Sequence, residues 1–108
     1  MFTLKLKPLS LNSAYRGRRF TTPELACYKE AICLMSPKIA IPKGKLQVKY
    51  IFGVSSKNAD GDNLIKCAQD ALAEKYDFND KNIYRWEVEK VDVKKGKEFI
   101  SFQISPLI

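Results

Sequence analysis

The residues best equipped for chemistry lie in one short run, Asp60-Gly61-Asp62-Asn63-Leu64-Ile65-Lys66, followed by Asp70 and, after a polar turn, Asp80. Two carboxylates two residues apart at the mouth of a helix offer hard oxygen donors. Such donors suit Mg2+, which keeps several waters and bridges to phosphate. Asp62, Lys66 and Asp70 fall at i, i+4 and i+8 and so share one helical stripe, apart from the stripe of Leu64 and Ala71. A lysine on that stripe can hold a phosphate oxygen or stabilise charge in a transition state. Asp80 adds a third carboxylate if the helix end folds back towards a sheet. The same residues have plainer uses. Asp and Asn commonly cap helix starts, and Asp62 with Lys66 makes an ordinary surface pair. A calcium loop does not fit, because counting from Asn58 puts Asn63 where glycine belongs and Gln69 where glutamate belongs.

The second signal is Tyr15-Arg16-Gly17-Arg18-Arg19-Phe20, which combines guanidinium forks with aromatic faces. Arginine grips phosphate bidentately, and an aromatic ring stacks on an unpaired base. The plainer reading is a loop whose Tyr15 and Phe20 pack on a sheet. Tyr15, Arg16, Arg18, Arg19 and Lys57 are the candidate DNA contacts. Lys43, Lys45, Lys94, Lys95 and Lys97 read as solvated turn charges. The net charge is +7. The first 58 residues hold eleven basic and two acidic side chains, a net of +9, and the remainder eight basic and ten acidic, a net of −2. A basic chain favours polyanions because neutralised phosphates release condensed counterions. With no basic amphipathic helix, nucleic acid is favoured over an anionic membrane surface.

Absences narrow the chemistry. There is no histidine, which excludes Ser-His-Asp and Cys-His mechanisms and histidine metal ligation. Cys27, Cys33 and Cys67 form no CxxC pair, so they read as buried free thiols on helices in a reducing cytoplasm. No apolar run approaches the length of a membrane span. The alternating start, Met1 to Lys7, does not read as a signal peptide.

The elements that must position these residues follow from periodicity. Phe2, Leu4 and Leu6 alternate as a strand that Pro8 ends, and residues 9–21 read as a loop. Thr22-Pro23-Glu24 starts a helix, with Thr22 as cap, carried by Leu25, Tyr28, Ala31, Ile32 and Met35 and stopped at Ser36-Pro37. Leu46, Val48, Tyr50, Phe52 and Val54 alternate as a long strand. A second helix follows Asp60–Asn63 with Leu64, Ala68, Ala71 and Leu72 on its apolar face. Tyr84, Trp86 and Val88 mark a third strand whose phase slips near Lys90-Val91, suggesting a bulge. Lys94-Lys95-Gly96-Lys97 reads as a hairpin turn into a last strand from Phe99 to Ile104. The order β-α-β-α-β-β predicts an α+β, two-layer (α/β) domain: a small mixed sheet of four strands with two helices against it. At 108 residues the chain is sized for one domain, residues 1–108.

The run from Asp60 to Lys66, then Asp70-Ala71-Leu72, then Asp80 after a short aromatic-containing turn, resembles the RusA family of Holliday-junction resolvases from bacteria and their phages. Pro8, Asn12, Tyr15 and Arg16 resemble that family's N-terminal segment. The element order also matches, so the resemblance covers nearly the whole chain. It implies a homodimeric, Mg2+-dependent endodeoxyribonuclease that resolves four-way DNA junctions by paired symmetrical nicks in recombination and repair, in the cytoplasm. It implies Asp60, Asp62 and Asp80 as metal-binding carboxylates, Lys66 as the catalytic lysine and Asp70 as a further acidic residue. Two departures stand out. Asn79 occupies a position where family members often carry another aspartate, and Gly61 replaces a commonly bulkier residue. The alternatives from the residues alone are a non-catalytic basic nucleic-acid-binding module and a small basic interaction protein.

Overall fold

Alternation puts Leu46, Val48, Tyr50, Phe52 and Val54 on one face of β4 (Leu46–Val54), and all five are buried. The computed structural model describes residues 1–16, 20–56 and 61–107, with the backbone alone for Arg16, Phe20 and Asp62. Around β4 it builds a four-stranded sheet with the order β1-β6-β4-β5, where β1 is Phe2–Leu4, β5 Ile83–Asp92 and β6 Phe99–Pro106. β6 runs antiparallel to both β1 and β4, while β5 runs parallel to β4. The sheet is therefore mixed, as the sequence order predicts.

The reason for the mixing differs from the expected one. β5 and β6 do not form a hairpin; they lie on opposite sides of β4. The turn itself exists, with Lys97 N–H donating to Lys94 O at 2.9 Å and Gly96 at φ 91°. Burial decides the pairing. Ile100 and Phe102 sit opposite Phe52 and Tyr50 and are fully covered. β5, rich in charge, takes the edge, where every residue from Tyr84 to Asp92 is exposed. The irregularity in β5 also lies elsewhere than Lys90-Val91. Leu46 pairs with Ile83 and Gln47 with Arg85, so Tyr84 is the extra residue, and pairing runs unbroken from Arg85 to Asp92.

The helices α2 (Pro23–Met35) and α3 (Gly61–Tyr76) cover the apolar face. α2 buries Leu25, Tyr28 and Ile32; α3 buries Leu64, Cys67, Ala68, Ala71 and Leu72. Thr22 stands at the cap position of α2 without a side-chain capping bond. Its hydroxyl donates instead to Ser13 O at 2.7 Å and reaches Ala14 O at 3.3 Å. Those carbonyls end α1 (Leu11–Ala14), one helical turn within the stretch expected to be loop. A two-strand ribbon of β2 (Tyr15–Arg16) and β3 (Phe20–Thr21) follows. The first strand stops at Leu4, short of Pro8. Of the three thiols, all on helices, only Cys67 is buried; Cys27 and Cys33 are exposed. No helix among the described residues is long and apolar enough to cross a membrane.

Candidate active site

α3 begins seven residues after β4 and runs back across the sheet before the chain enters β5. Its apolar stripe is pressed on the sheet, which turns Lys66 and Asp70 to another side. The expected i, i+4 contact is present: Lys66 Nζ donates to Asp70 Oδ1 at 3.2 Å. The Lys66 side chain is 55% exposed and that of Asp70 26%. The hydrogen bond and charge of Asp70 hold the Lys66 ammonium above the usual lysine range; burial opposes this, and Asp80 and Tyr15 add to it. Lys66 is thus a fixed cation at neutral pH and no general base.

Asp80 reaches this neighbourhood because of how α3 ends. Asp77 takes a left-handed conformation at φ 53°, and Phe78 N–H then donates to Ala73 O at 3.2 Å. This is the six-to-one closure of a Schellman motif, with the half-buried Phe78 as its apolar residue. The chain doubles back into a 3-10 turn, Asp80–Asn82, against α3. The Asn79 side-chain oxygen accepts from Lys81 N–H at 3.1 Å, so the amide at the departing position caps that turn. Asp70 and Asp80 line one shallow depression with Glu74 and Asp77, and Lys29 closes its side by an ion pair to Glu74 at 2.9 Å.

The structure thus brings Lys66 to Asp70 and Asp70 to the depression that Asp80 lines, with Tyr15 within electrostatic range of Lys66. Asp62 is the second residue of α3, one turn before Lys66, and its side chain is outside the description. Two turns, about 12 Å of helix axis, separate its backbone from that of Asp70. Asp70 acts on Lys66. Asp60, Lys57, Arg18 and Arg19 lie outside the described residues, as does the side chain of Arg16. Among the described residues no three His, Cys, Asp or Glu side chains stand close enough to hold a metal ion. Tyr15 is half-buried and packs against the core, the plainer of its two readings.

One supporting residue escapes the sequence patterns. Gln69, buried in the middle of α3, accepts at Oε1 from Trp86 Nε1 at 2.9 Å and from the fully buried Tyr50 hydroxyl at 3.4 Å. This ties β4, β5 and α3 together directly behind Asp70. The only signal was a polar residue interrupting an apolar stripe. Burial above all pushes the Cys67 thiol up in pKa, which disfavours the thiolate. The chain matches no protein-family model and no curated protein.

Proposed function

We propose that this chain is a Mg2+-dependent, structure-specific endodeoxyribonuclease that nicks four-way DNA junctions, working as a homodimer so that two sites address opposite strands. The observation that carries the reading is Lys66, held as a cation by the Asp70 carboxylate of α3, with the charge of Asp80 in the following turn adding to the same field. The donor set fits a hard ion. It consists of carboxylate oxygens, with no imidazole in the chain and the nearby Cys67 thiol buried and protonated. Asp60, Asp62 and Asp80 would hold the ion, and when bound it supplies Lewis acidity to a phosphate and a more acidic water.

The chain's own residues do the remaining work. Asp70 sets the rotamer and charge of Lys66, which in turn holds a non-bridging phosphate oxygen as negative charge develops. The +9 charge of the first 58 residues draws in the polyanion against the acids of the second part.

The test offers labelled four-way junction, duplex and single strand, with and without Mg2+. Wild-type protein should nick the junction only with metal. Asp62→Asn should abolish nicking while keeping junction binding equal or tighter, since negative charge is removed. Wild-type cleavage by Asp62→Asn would overturn the site assignment. Salt-sensitive binding by wild type with no nicked product would make the chain a binding module instead.

A further inference from the structure

The side chains of the edge strand β5 divide by pairing. Trp86, Val88 and Lys90 sit opposite Val48, Tyr50 and Phe52 on the buried face of β4, so they project to the side of the sheet that the helices cover. The hydrogen bond from Trp86 Nε1 to Gln69 Oε1, at 2.9 Å, fixes the point where α3 passes beside β5. The two elements run in opposite directions. Val93 N–H donates to Val54 O at 2.8 Å, so β5 ends beside the end of β4. The first turn of α3 lies at that same end, since Asn63 and Leu64 line one cleft with Val54 and Ser55. From the Trp86–Gln69 contact, four strand residues lead to Lys90, about 13 Å at 3.3 Å each. Along α3 in the same direction, Asn63 stands about 9 Å from the contact and Gly61 about 12 Å. Lys90 is therefore level with the first turn of α3, the turn that carries Asp62. Lys66 precedes Gln69 by three residues, so it shares the flank of α3 beside β5 and lies about 4.5 Å from the contact.

We infer that Lys90 is a second phosphate-holding cation of the candidate site, gripping the cleaved strand two or three nucleotides from the phosphate that Lys66 holds. The inference rests on the nuclease reading for the identity of the polyanion. Lys66 and Lys90 come from separate elements and stand roughly 9 Å apart along the α3 axis. That spacing matches two to three steps of a strand rising about 3.4 Å per nucleotide. Local charge calls for a cation here. Asp70, Glu74, Asp77 and Asp80 line the neighbouring depression, and a phosphate chain drawn towards them must be held against their repulsion. Among Trp86, Val88, Lys90 and Asp92, the residues of β5 on the helix side, Lys90 is the one cation. It is exposed, and its four-carbon stem can follow a phosphate without moving the strand.

Two measurements test this on the full chain. The first follows binding of a four-way junction across a salt series without added metal. Lys90→Gln should flatten the slope of log affinity against log salt by about 0.7–0.9, the loss of one phosphate contact. Lys90→Arg keeps the charge and should keep the slope. Lys94→Gln, the same substitution in the turn after β5, should also leave it unchanged. An unaltered slope for Lys90→Gln, or an equal loss for Lys94→Gln, would overturn the inference. The second puts an azidophenacyl cross-linker on Lys90→Cys, with the exposed Cys27 and Cys33 changed to serine. Cross-links should fall on the nicked strand, two or three nucleotides from the wild-type nick. Cross-links on an arm remote from the nick would refute the placement. Wild-type binding and nicking combined with failure of both Lys90 measurements would strike this inference and leave the nuclease reading standing. Binding without a nick would strike the nuclease reading, and the salt slope would then decide the phosphate contact by itself. A wild-type chain that does not bind the junction would end both.

Discussion

Lys66→Met separates a catalytic role from a structural one, because it keeps the aliphatic stem and removes only the charge. The pair it breaks is an i, i+4 contact at 3.2 Å with the lysine 55% exposed. Exposed pairs of this kind contribute about 0.3–0.5 kcal/mol. In a domain of this size that moves the melting temperature by about 2 °C. Asp70 is left without its cation but retains access to water, so no buried charge is stranded. Cleavage should respond on a different scale. Removing one preorganised donor from developing charge typically lowers the rate by about 10²–10³-fold. Binding loses about one phosphate contact, which flattens the slope of log affinity against log salt by about 0.9. Single-turnover cleavage of a four-way junction at saturating protein, alongside thermal unfolding, reads all of this. A rate within tenfold of wild type would reduce Lys66 to a surface ion pair. A fall in melting temperature beyond about 8 °C, over 1 kcal/mol, would mean the substitution had damaged the fold.

The Lys66 pKa is raised by Asp70, so its contribution to stability is complete below the ordinary lysine value of about 10.4 and is lost only as pH rises through the higher folded value. Urea unfolding should therefore give the same difference between wild type and Lys66→Met at pH 7 and pH 9. Gly53→Ala places a Cβ 2.3 Å from Phe99 Cδ1 and should cost about 2 kcal/mol by overpacking; a Phe99→Ala background should erase that penalty in a double-mutant cycle. Gln69→Leu leaves the Tyr50 hydroxyl buried and unpaired, costing about 1–3 kcal/mol in denaturant unfolding. Asp77→Gly relieves the left-handed backbone at φ 53° and should stabilise by about 0.5 kcal/mol, the difference between strain relief and added chain entropy. A destabilised Asp77→Gly protein would show that the aspartate side chain itself secures the turn.

Local patterns carried the elements they describe. β4 was legible because its alternation of Leu46 through Val54 is long and strict, and α3 because Leu64, Ala68, Ala71 and Leu72 keep one stripe. The Lys66–Asp70 contact followed from spacing alone. What spacing does not contain is partner choice between distant strands. The turn at Lys94–Lys97 looks identical whether the flanking strands pair with each other or straddle β4, and only the burial of Ile100 and Phe102 against β4 decides it. The exposed Cys27 and Cys33 reflect a narrow apolar stripe on α2, which leaves even Leu34 in water. The return of Asp80 to the depression that Asp70 lines depends on one positive φ at Asp77, a conformation that sequence assigns to glycine.

A sheet border ten residues long is an open template on which further copies of any chain can polymerise. Along β5 the defence is ionic and local. Arg85, Glu87, Glu89, Lys90 and Asp92 leave few successive positions uncharged, and Trp86 is pinned to its own helix through Gln69. The bulge at Tyr84 further breaks the straight run that a foreign strand would need to read. Stripped of these charges, the same border would present Tyr84, Val88 and Val91 to any passing strand and open a route to fibres.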